Sequence, residues 1–150
     1  MKKMIAAFVL ILAAAAVCTG CGGGSKNYKD GTYTARSSIY ESLSDEEDEG
    51  GEGYGEVTIT VKDNTVTACE FTTYMPDGTV KDAEYGKQNG EIANQDYYNK
   101  AQRAVQASRN YAEQLASKGK LEDVDAITGA TISFNEFNEA VELALKDAKE

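Results

Sequence analysis

The sequence predicts an α+β domain: a small antiparallel sheet formed by the first half of the chain, packed by two C-terminal helices. Two observations carry this prediction. Apolar residues alternate with polar ones in the first half, which is typical of half-buried strands. In the second half they recur every three or four residues, which is typical of amphipathic helices. A chain of 150 residues is long enough for one such core and too short for two comfortable domains.

Three segments predict strands, the first beginning at a turn and the other two joined around Asp63–Asn64. They are 30–35, 56–62 and 65–74. Pro76–Gly78 predicts another turn, because proline suits its second position and glycine its last. A further strand is predicted over 79–85. From about 41 to 55 the acidic residues and glycines predict a solvated loop, since they cannot bury apolar surface.

Two helices are predicted in the second half of the chain. The first spans about 96–118 and ends at Gly119, because glycine favours the left-handed conformation found at helix ends. The second spans about 134–149, with Ser133 and Glu136 forming a capping box at its start. The residues expected to face inward are Tyr98, Ala101, Val105, Ala112, Leu115, Phe137, Ala140, Val141, Ala144 and Leu145.

Residues 1–20 predict a secretory signal peptide. Two lysines precede an apolar run that is too short to span a bilayer, and small residues then lead to Cys21. Cys21 and the glycines after it resemble a bacterial lipobox with a flexible tether, 21–29, and this resemblance implies that Cys21 is lipidated. Cys18 stands where lipoboxes usually hold an aliphatic residue, and the alternative is an ordinary secreted protein with a linker. The remaining domain spans 30–150.

Composition excludes several kinds of function. The formal net charge is −10, and it becomes −12 once the two lysines of the signal are removed, because no acidic residue precedes Cys21. A protein with this much negative charge is repelled by nucleic acid and by anionic lipid headgroups. Any attachment to a membrane would therefore come from a covalently bound lipid. The sequence has no histidine, which removes the commonest general base and the usual zinc ligand. We therefore predict no catalytic residue and no metal site, and expect a cofactor to supply any chemistry.

The segment 125–131 predicts a phosphate-binding turn before a helix. Gly129 can adopt the positive φ of a tight turn, and Ala130 keeps the approach uncrowded. A helix starting there presents unpaired N–H groups and a partial positive charge to an anion beside Thr131. The Thr131 hydroxyl is itself a poor nucleophile, and no histidine exists to activate it. A separate enzyme would therefore have to esterify it.

Five positions of this segment match the pattern Asp-x-x-Ser/Thr-Gly-Ala-Ser/Thr, and they are Asp125, Thr128, Gly129, Ala130 and Thr131. The segment resembles the flavinylation signature, at which a magnesium-dependent flavin transferase uses FAD as donor and leaves FMN joined by a phosphoester to the last residue. The resemblance implies covalent FMN at Thr131. It also implies that Asp125 and Thr128 serve recognition by the transferase and the shape of the turn.

The resemblance extends over the predicted domain. The opening segment 30–33, the strand pair over 57–71, the helix rich in alanine and tyrosine, and the C-terminal motif follow the order of FMN-binding domains. This family includes flavinylated subunits of the sodium-pumping NADH:quinone reductase and of the Rnf complex. The chain more closely resembles the pheromone-type, extracellular electron-transfer lipoproteins of Gram-positive bacteria.

The resemblance implies an electron-transfer flavoprotein rather than a stand-alone enzyme. It would be lipid-anchored at the outer face of the cytoplasmic membrane and receive electrons from a membrane donor such as a quinone or an NADH dehydrogenase. Tyr85, Tyr97 and Tyr98 are candidates to stack on the flavin, or else core and rim residues. Two alternatives remain: a non-redox lipoprotein that binds a ligand or another protein, and a signal peptide that is the precursor of a pheromone.

Overall fold

The computed structural model describes residues 27–41 and 51–149. The predicted signal peptide 1–20, the predicted lipidation site Cys21 and residues 42–50 of the predicted acidic loop lie outside the described residues. The main elements in the described ranges are β1 (Gly31–Arg36), β2 (Tyr54–Lys62), β3 (Thr65–Tyr74), α1 (Gln95–Lys118) and α2 (Thr131–Asp147). The three strands form one antiparallel sheet in the order β1-β2-β3, and both helices pack against it. The predicted α+β class is confirmed.

The β2–β3 hairpin has the predicted turn. Asp63 and Asn64 have φ of 51° and 62°, the left-handed pair that matches the twist of a two-residue hairpin. Strand β2 starts at Tyr54, two residues before the predicted start, so the last part of the predicted loop 41–55 belongs to the sheet. Tyr54 and Gly55 are buried there, and Tyr54 stacks on Tyr74 with 5.1 Å between the ring centroids. The expectation of a solvated loop up to Gly55 is therefore wrong.

The segment after β3 forms turns. The predicted turn at Pro76–Gly78 is confirmed, since the Gly78 amide donates to the Met75 carbonyl at 2.9 Å. The strand predicted over 79–85 is wrong: the pairing there is one isolated bridge between Tyr74 and Val80. The Asp82 carboxylate accepts from the Glu84 amide at 2.8 Å, and such a side-chain turn bends the backbone away from extended geometry.

The two helices begin and end at identifiable caps. In α1 the Asn94 side chain accepts from the Tyr97 amide at 3.0 Å, and the helix ends at Gly119 with φ of 79°, as predicted. Helix α2 starts at Thr131, three residues earlier than predicted. Ser133 and Glu136 lie inside α2 and are buried, so the predicted capping box is wrong.

The core lies between the sheet and the two helices. Strand β2 contributes alternate residues to one face, as its sequence predicts, and the helices contribute Tyr111, Leu115, Phe137 and Val141. All of these are fully buried. Of the residues predicted to face inward, Tyr98 and Leu145 are only half-buried. Cys69 is the free cysteine of the described residues and is also half-buried, in β3.

The N-terminal end of the described domain meets the C-terminal end of α2. The Lys29 amide donates to the Ala148 carbonyl at 2.8 Å, and Tyr28 forms an antiparallel bridge with Lys149. None of the helices in the described part of the chain is both long and apolar enough to cross a membrane.

Candidate functional site

The motif loop, residues 124–130, leads directly into α2. Gly129 has φ of 79°, and the Ala130 amide donates to the Ile127 carbonyl at 3.2 Å, which closes the turn. The first bond of the helix runs from the Phe134 amide to the Ala130 carbonyl at 3.0 Å. Thr131 is therefore the first residue of α2, and it is exposed. The turn followed by a helix start agrees with the sequence prediction.

The predicted site residues lie together but differ in accessibility. Asp125 and Thr128 are exposed, Gly129 is half-buried, and Ala130 is completely buried. Buried Ala130 anchors the loop to the core, because its backbone continues into the helix while its methyl group packs inside. The hydroxyl-bearing Thr131 is left at the surface.

Helix α1 holds the motif loop through side chains. The buried Tyr111 hydroxyl accepts from the Ile127 amide at 3.1 Å and donates to the Ala130 carbonyl at 3.3 Å. The Gln114 side chain accepts from the Asp125 amide at 2.9 Å and donates to its carbonyl at 3.3 Å. The backbone of an irregular loop is thereby satisfied by partners outside it.

Lys118 extends this set of contacts by one helical turn. Its ammonium donates to the Asp125 carboxylate at 2.7 Å and to the Asp123 carbonyl at 2.6 Å. The Asp125 side chain is 85% exposed, so the ion pair is screened by water and worth at most about 1 kcal/mol. Sequence reasoning gave Asp125 a role but missed Lys118, since the seven-residue separation becomes a contact only when the chain turns back after Gly119.

Two buried ionisable side chains, Lys81 and Glu136, lie beneath the glycine-rich start of β2. Lys81 and Glu136 are 5% and 4% exposed, and the Lys81 ammonium donates to the Gly51 carbonyl at 3.3 Å. The Oε1 atom of Glu136 is buried and has no hydrogen-bond partner among the described residues. A Cβ on Gly53 would lie 2.9 Å from the Lys81 nitrogen, and one on Gly55 would lie 3.3 Å from the Glu136 Cβ. Glycine is needed at both positions because other atoms are closer still: a Cβ on Gly53 would overlap the Tyr74 carbonyl oxygen, and one on Gly55 would overlap the Phe71 ring.

Burial is the main influence on the pKa of each of these two side chains. Desolvation raises the pKa of Glu136 to about 7, although attraction to Lys81 opposes the rise. Desolvation lowers the pKa of Lys81, and attraction to Glu136 again opposes the change. Sequence reasoning missed Lys81 and gave Glu136 only a capping role, because charged side chains are ordinarily exposed.

Of the tyrosines singled out from the sequence, Tyr85 lies on the segment between β3 and α1, and Tyr97 and Tyr98 lie in the first turn of α1. Tyr85 and Tyr97 are hydrogen-bonded to each other and line a cleft of about 460 Å³. Burial is the main reason that the pKa of Tyr85 is raised. The Tyr98 hydroxyl instead donates to the Ala83 carbonyl at 3.2 Å, so Tyr98 braces this segment.

A second cleft, of about 740 Å³, runs along α2. On the helix it is lined by Phe134 and Asn138, which are three and seven residues after Thr131 and so lie on the same side of α2. Leu121 and Val124, which precede the motif turn, also line it. Both clefts fall within the range of volumes found for small-molecule sites.

The comparison with known families identifies the domain. The family model of the FMN-binding domain matches residues 50–146, which include β2, β3, α1, the whole motif loop and all of α2 except its last residue. The chain belongs to the FMN-binding domain family. A flavin-binding function is thereby supported for this domain. A search of curated proteins found no match.

Solved structures resemble this FMN-binding domain. A crystal structure of a protein from Clostridium perfringens aligns with a TM-score of 0.54 and 25% identity, covering 81% of this chain and 89% of that one. A solution structure of a protein from Clostridium thermocellum aligns with a TM-score of 0.42 and 23% identity, covering 81% of this chain and 93% of that one.

The start of α2 suits the phosphate of FMN. The N-cap residue is Ala130, which makes no side-chain hydrogen bond, and the first turn has no acidic residue. Alanine is among the poorest N-caps, costing about 1 kcal/mol relative to serine or aspartate. The first N–H groups of a helix have no partner within it, so a phosphate placed there would cap them. No group of three or more His, Cys, Asp or Glu side chains in the described ranges could hold a metal ion.

Proposed function

We propose that this FMN-binding domain carries its FMN covalently, through a phosphoester to Thr131, and acts as an electron carrier. One observation supports this most directly: Thr131 is exposed on the first turn of a helix that has no side-chain cap. A phosphodiester on that hydroxyl would place a negative charge at the positive end of the helix. The match of Asp125, Thr128, Gly129, Ala130 and Thr131 to the flavinylation signature supports the same assignment.

The attachment reaction would be performed by a flavin transferase with FAD as donor. In that step the Thr131 oxygen forms a bond to the phosphorus of the FMN half, the bond between the two phosphates breaks, and AMP leaves. The hydroxyl proton is released, and nothing is oxidised or reduced. The contribution of this chain is to present Thr131 on an ordered turn with Asp125 and Thr128 exposed beside it.

FMN, once bound, supplies one- and two-electron transfer. The residues of this chain would bind the phosphate through the first N–H groups of α2 and orient the tether through the motif loop. Phe134 and Asn138 offer one surface for the ring, along the cleft on the Thr131 side of α2. Tyr85 and Tyr97 offer another, at the cleft beside the turn segment.

The location that fits this function is the outer face of the cytoplasmic membrane of a Gram-positive bacterium. Lipidation at Cys21 would supply the anchor, because a mature charge of −12 disfavours adsorption on anionic lipid. The donor would be a membrane component such as a quinone or an NADH dehydrogenase. Residues 22–26 would act as the tether between lipid and domain, because Tyr28 and Lys29 are already bonded to the end of α2.

The test is modification of the mature chain by a flavin transferase supplied with FAD and Mg²⁺. Intact mass should rise by the mass of FMN less one water, and the denatured protein band should fluoresce. Thr131→Ala should abolish both signals, whereas Thr131→Ser should retain them because serine keeps the hydroxyl. Thr67→Ala removes an exposed threonine from β3 and should leave modification unchanged.

Covalent flavin on Thr131→Ala, or its absence from the unaltered chain, would overturn the attachment site. If the unaltered chain is neither modified nor able to retain free FMN, the non-redox binding lipoprotein becomes the better description.

A further inference from the structure

Three polar side chains on one face of α1 hold the motif loop at successive places. Tyr111, Gln114 and Lys118 are three and four residues apart, so they follow one side of the helix. We propose that they are positioning residues, which clamp the motif loop to α1 as a single unit and fix the direction in which a group bonded to Thr131 leaves the domain. The part of this proposal that concerns the bonded group rests on the proposed function.

The loop depends on these contacts because it has little backbone bonding of its own. Its backbone is closed by the bond from the Ala130 amide to the Ile127 carbonyl, and its start by the bond from the Val124 amide to the Leu121 carbonyl. Between them, the Asp125 amide and carbonyl are both bonded to Gln114. A segment held by so few backbone bonds opens easily unless side chains tie it down.

Tyr111 connects the two ends of the turn. Its hydroxyl bonds the Ile127 amide on one side and the Ala130 carbonyl on the other, and Ala130 is the residue from which α2 starts. The ring is completely buried and lies 5.2 Å from the Phe134 ring, centroid to centroid. Movement of the turn would therefore break hydrogen bonds in a dry environment, where they are costly to lose.

Gln114 and Lys118 act on the first half of the loop. Gln114 is half-buried and is hydrogen-bonded to both the amide and the carbonyl of Asp125. Lys118 is exposed, and its ammonium donates to both the Asp125 carboxylate and the Asp123 carbonyl. The Lys118 ammonium also donates to the Gln114 side chain at 3.3 Å. Gln114 and Lys118 are therefore bonded to each other as well as to the loop, and Tyr111 is joined to them through the loop backbone.

Helix α1 offers a matched control. Gln102 donates to the Asp82 and Tyr85 carbonyls at 3.0 and 2.9 Å, so it makes the same kind of contact with a different loop. Gln114→Leu and Gln102→Leu remove equivalent amides from the same helix, and only the first should affect the motif loop. Lys118→Arg should preserve the contacts with the loop, whereas Lys118→Met should lose them.

The first measurement is amide hydrogen exchange by NMR on the mature chain without flavin. Gln114→Leu should speed exchange of the Ile127 amide about tenfold, although the acceptor of that amide, Tyr111, is still present. Tyr111→Phe should likewise speed exchange of the Asp125 amide about tenfold, although its acceptor, Gln114, is still present. Gln102→Leu should leave both rates as they are. If each substitution affects only the amide it bonds directly, the loop is not clamped as a unit and the proposal is wrong.

The second measurement is the fluorescence anisotropy of flavin attached to Thr131. Gln114→Leu and Lys118→Met should lower the slowly decaying part of the anisotropy relative to the unaltered chain. Lys118→Arg should leave it at the value of the unaltered chain. Unchanged anisotropy in the first two variants would refute the effect on the tether. Should the unaltered chain fail to take up covalent flavin, the proposed function fails, but the exchange measurement still decides whether the clamp exists.

Discussion

Replacing Glu136 by glutamine is expected to remove a pH-dependent part of the stability. The ordinary pKa of the carboxyl is 4.5, and burial raises it in the folded protein to about 7. The folded chain therefore keeps this proton to a higher pH than the unfolded chain. The stabilisation that results is complete below pH 4.5 and is lost as pH rises through about 7. Each pH unit in that interval corresponds to about 1.4 kcal/mol, so the loss amounts to about 3 kcal/mol.

The assay is urea unfolding of the unaltered chain and of Glu136→Gln at several pH values between 4.5 and 8. Glutamine has nearly the shape of the protonated carboxyl and does not titrate. Relative to the unaltered chain, the variant should therefore gain about 3 kcal/mol of unfolding free energy across this range. Glu142→Gln removes a charge from the exposed side of the same helix and controls for the change in net charge. A constant difference between Glu136→Gln and the unaltered chain would refute the reasoning.

Three further predictions concern single residues. Lys81→Met should raise the pKa of Glu136 above about 7, because it removes the attraction that lowers it, and carboxyl NMR titration would detect this. Gly53→Ala should lower the unfolding free energy by about 3 kcal/mol or more, since a Cβ would overlap a carbonyl oxygen, whereas Gly90→Ala, in open space, should cost about 1 kcal/mol. Burial raises the pKa of Cys69 from 9.0 to about 12, so alkylation of that thiol at pH 8, read by peptide mass, should be about a thousandfold slower folded than unfolded.

The elements predicted correctly from the sequence are those that local patterns determine. The 3.6-residue period of α1 and its glycine stop gave both ends of that helix to within a residue, and the alternation after Glu56 gave most of β2. The local signal for the start of α2 misled. Ser133 and Glu136 have the spacing of a capping box, but both face the core, and α2 begins at Thr131 without a polar cap.

The residues of the motif could be predicted from the sequence, but the side chains of α1 that hold the motif loop could not. Thr131 could be found because its neighbours form a contiguous pattern. Tyr111 and Gln114 could not, because their roles arise only when α1 packs beside the loop. The burial of Lys81 and Glu136 in one region depends on how the chain folds, since they are 55 residues apart in sequence and neither is of a type that is usually buried.

The junction between the N-terminal end of the domain and the end of α2 gives the molecule a definite polarity. Lys29 is bonded to Ala148 at one end of the helix, and Thr131 is the first residue at the other. A helix of 17 residues is about 25 Å long. A domain anchored through Cys21 would thus be tethered near the C-terminal end of α2. It would carry its attached flavin at the N-terminal end of α2, one helix length away. The predicted tether would therefore have to let the whole domain turn, so that the flavin reaches a membrane donor as well as an acceptor in solution.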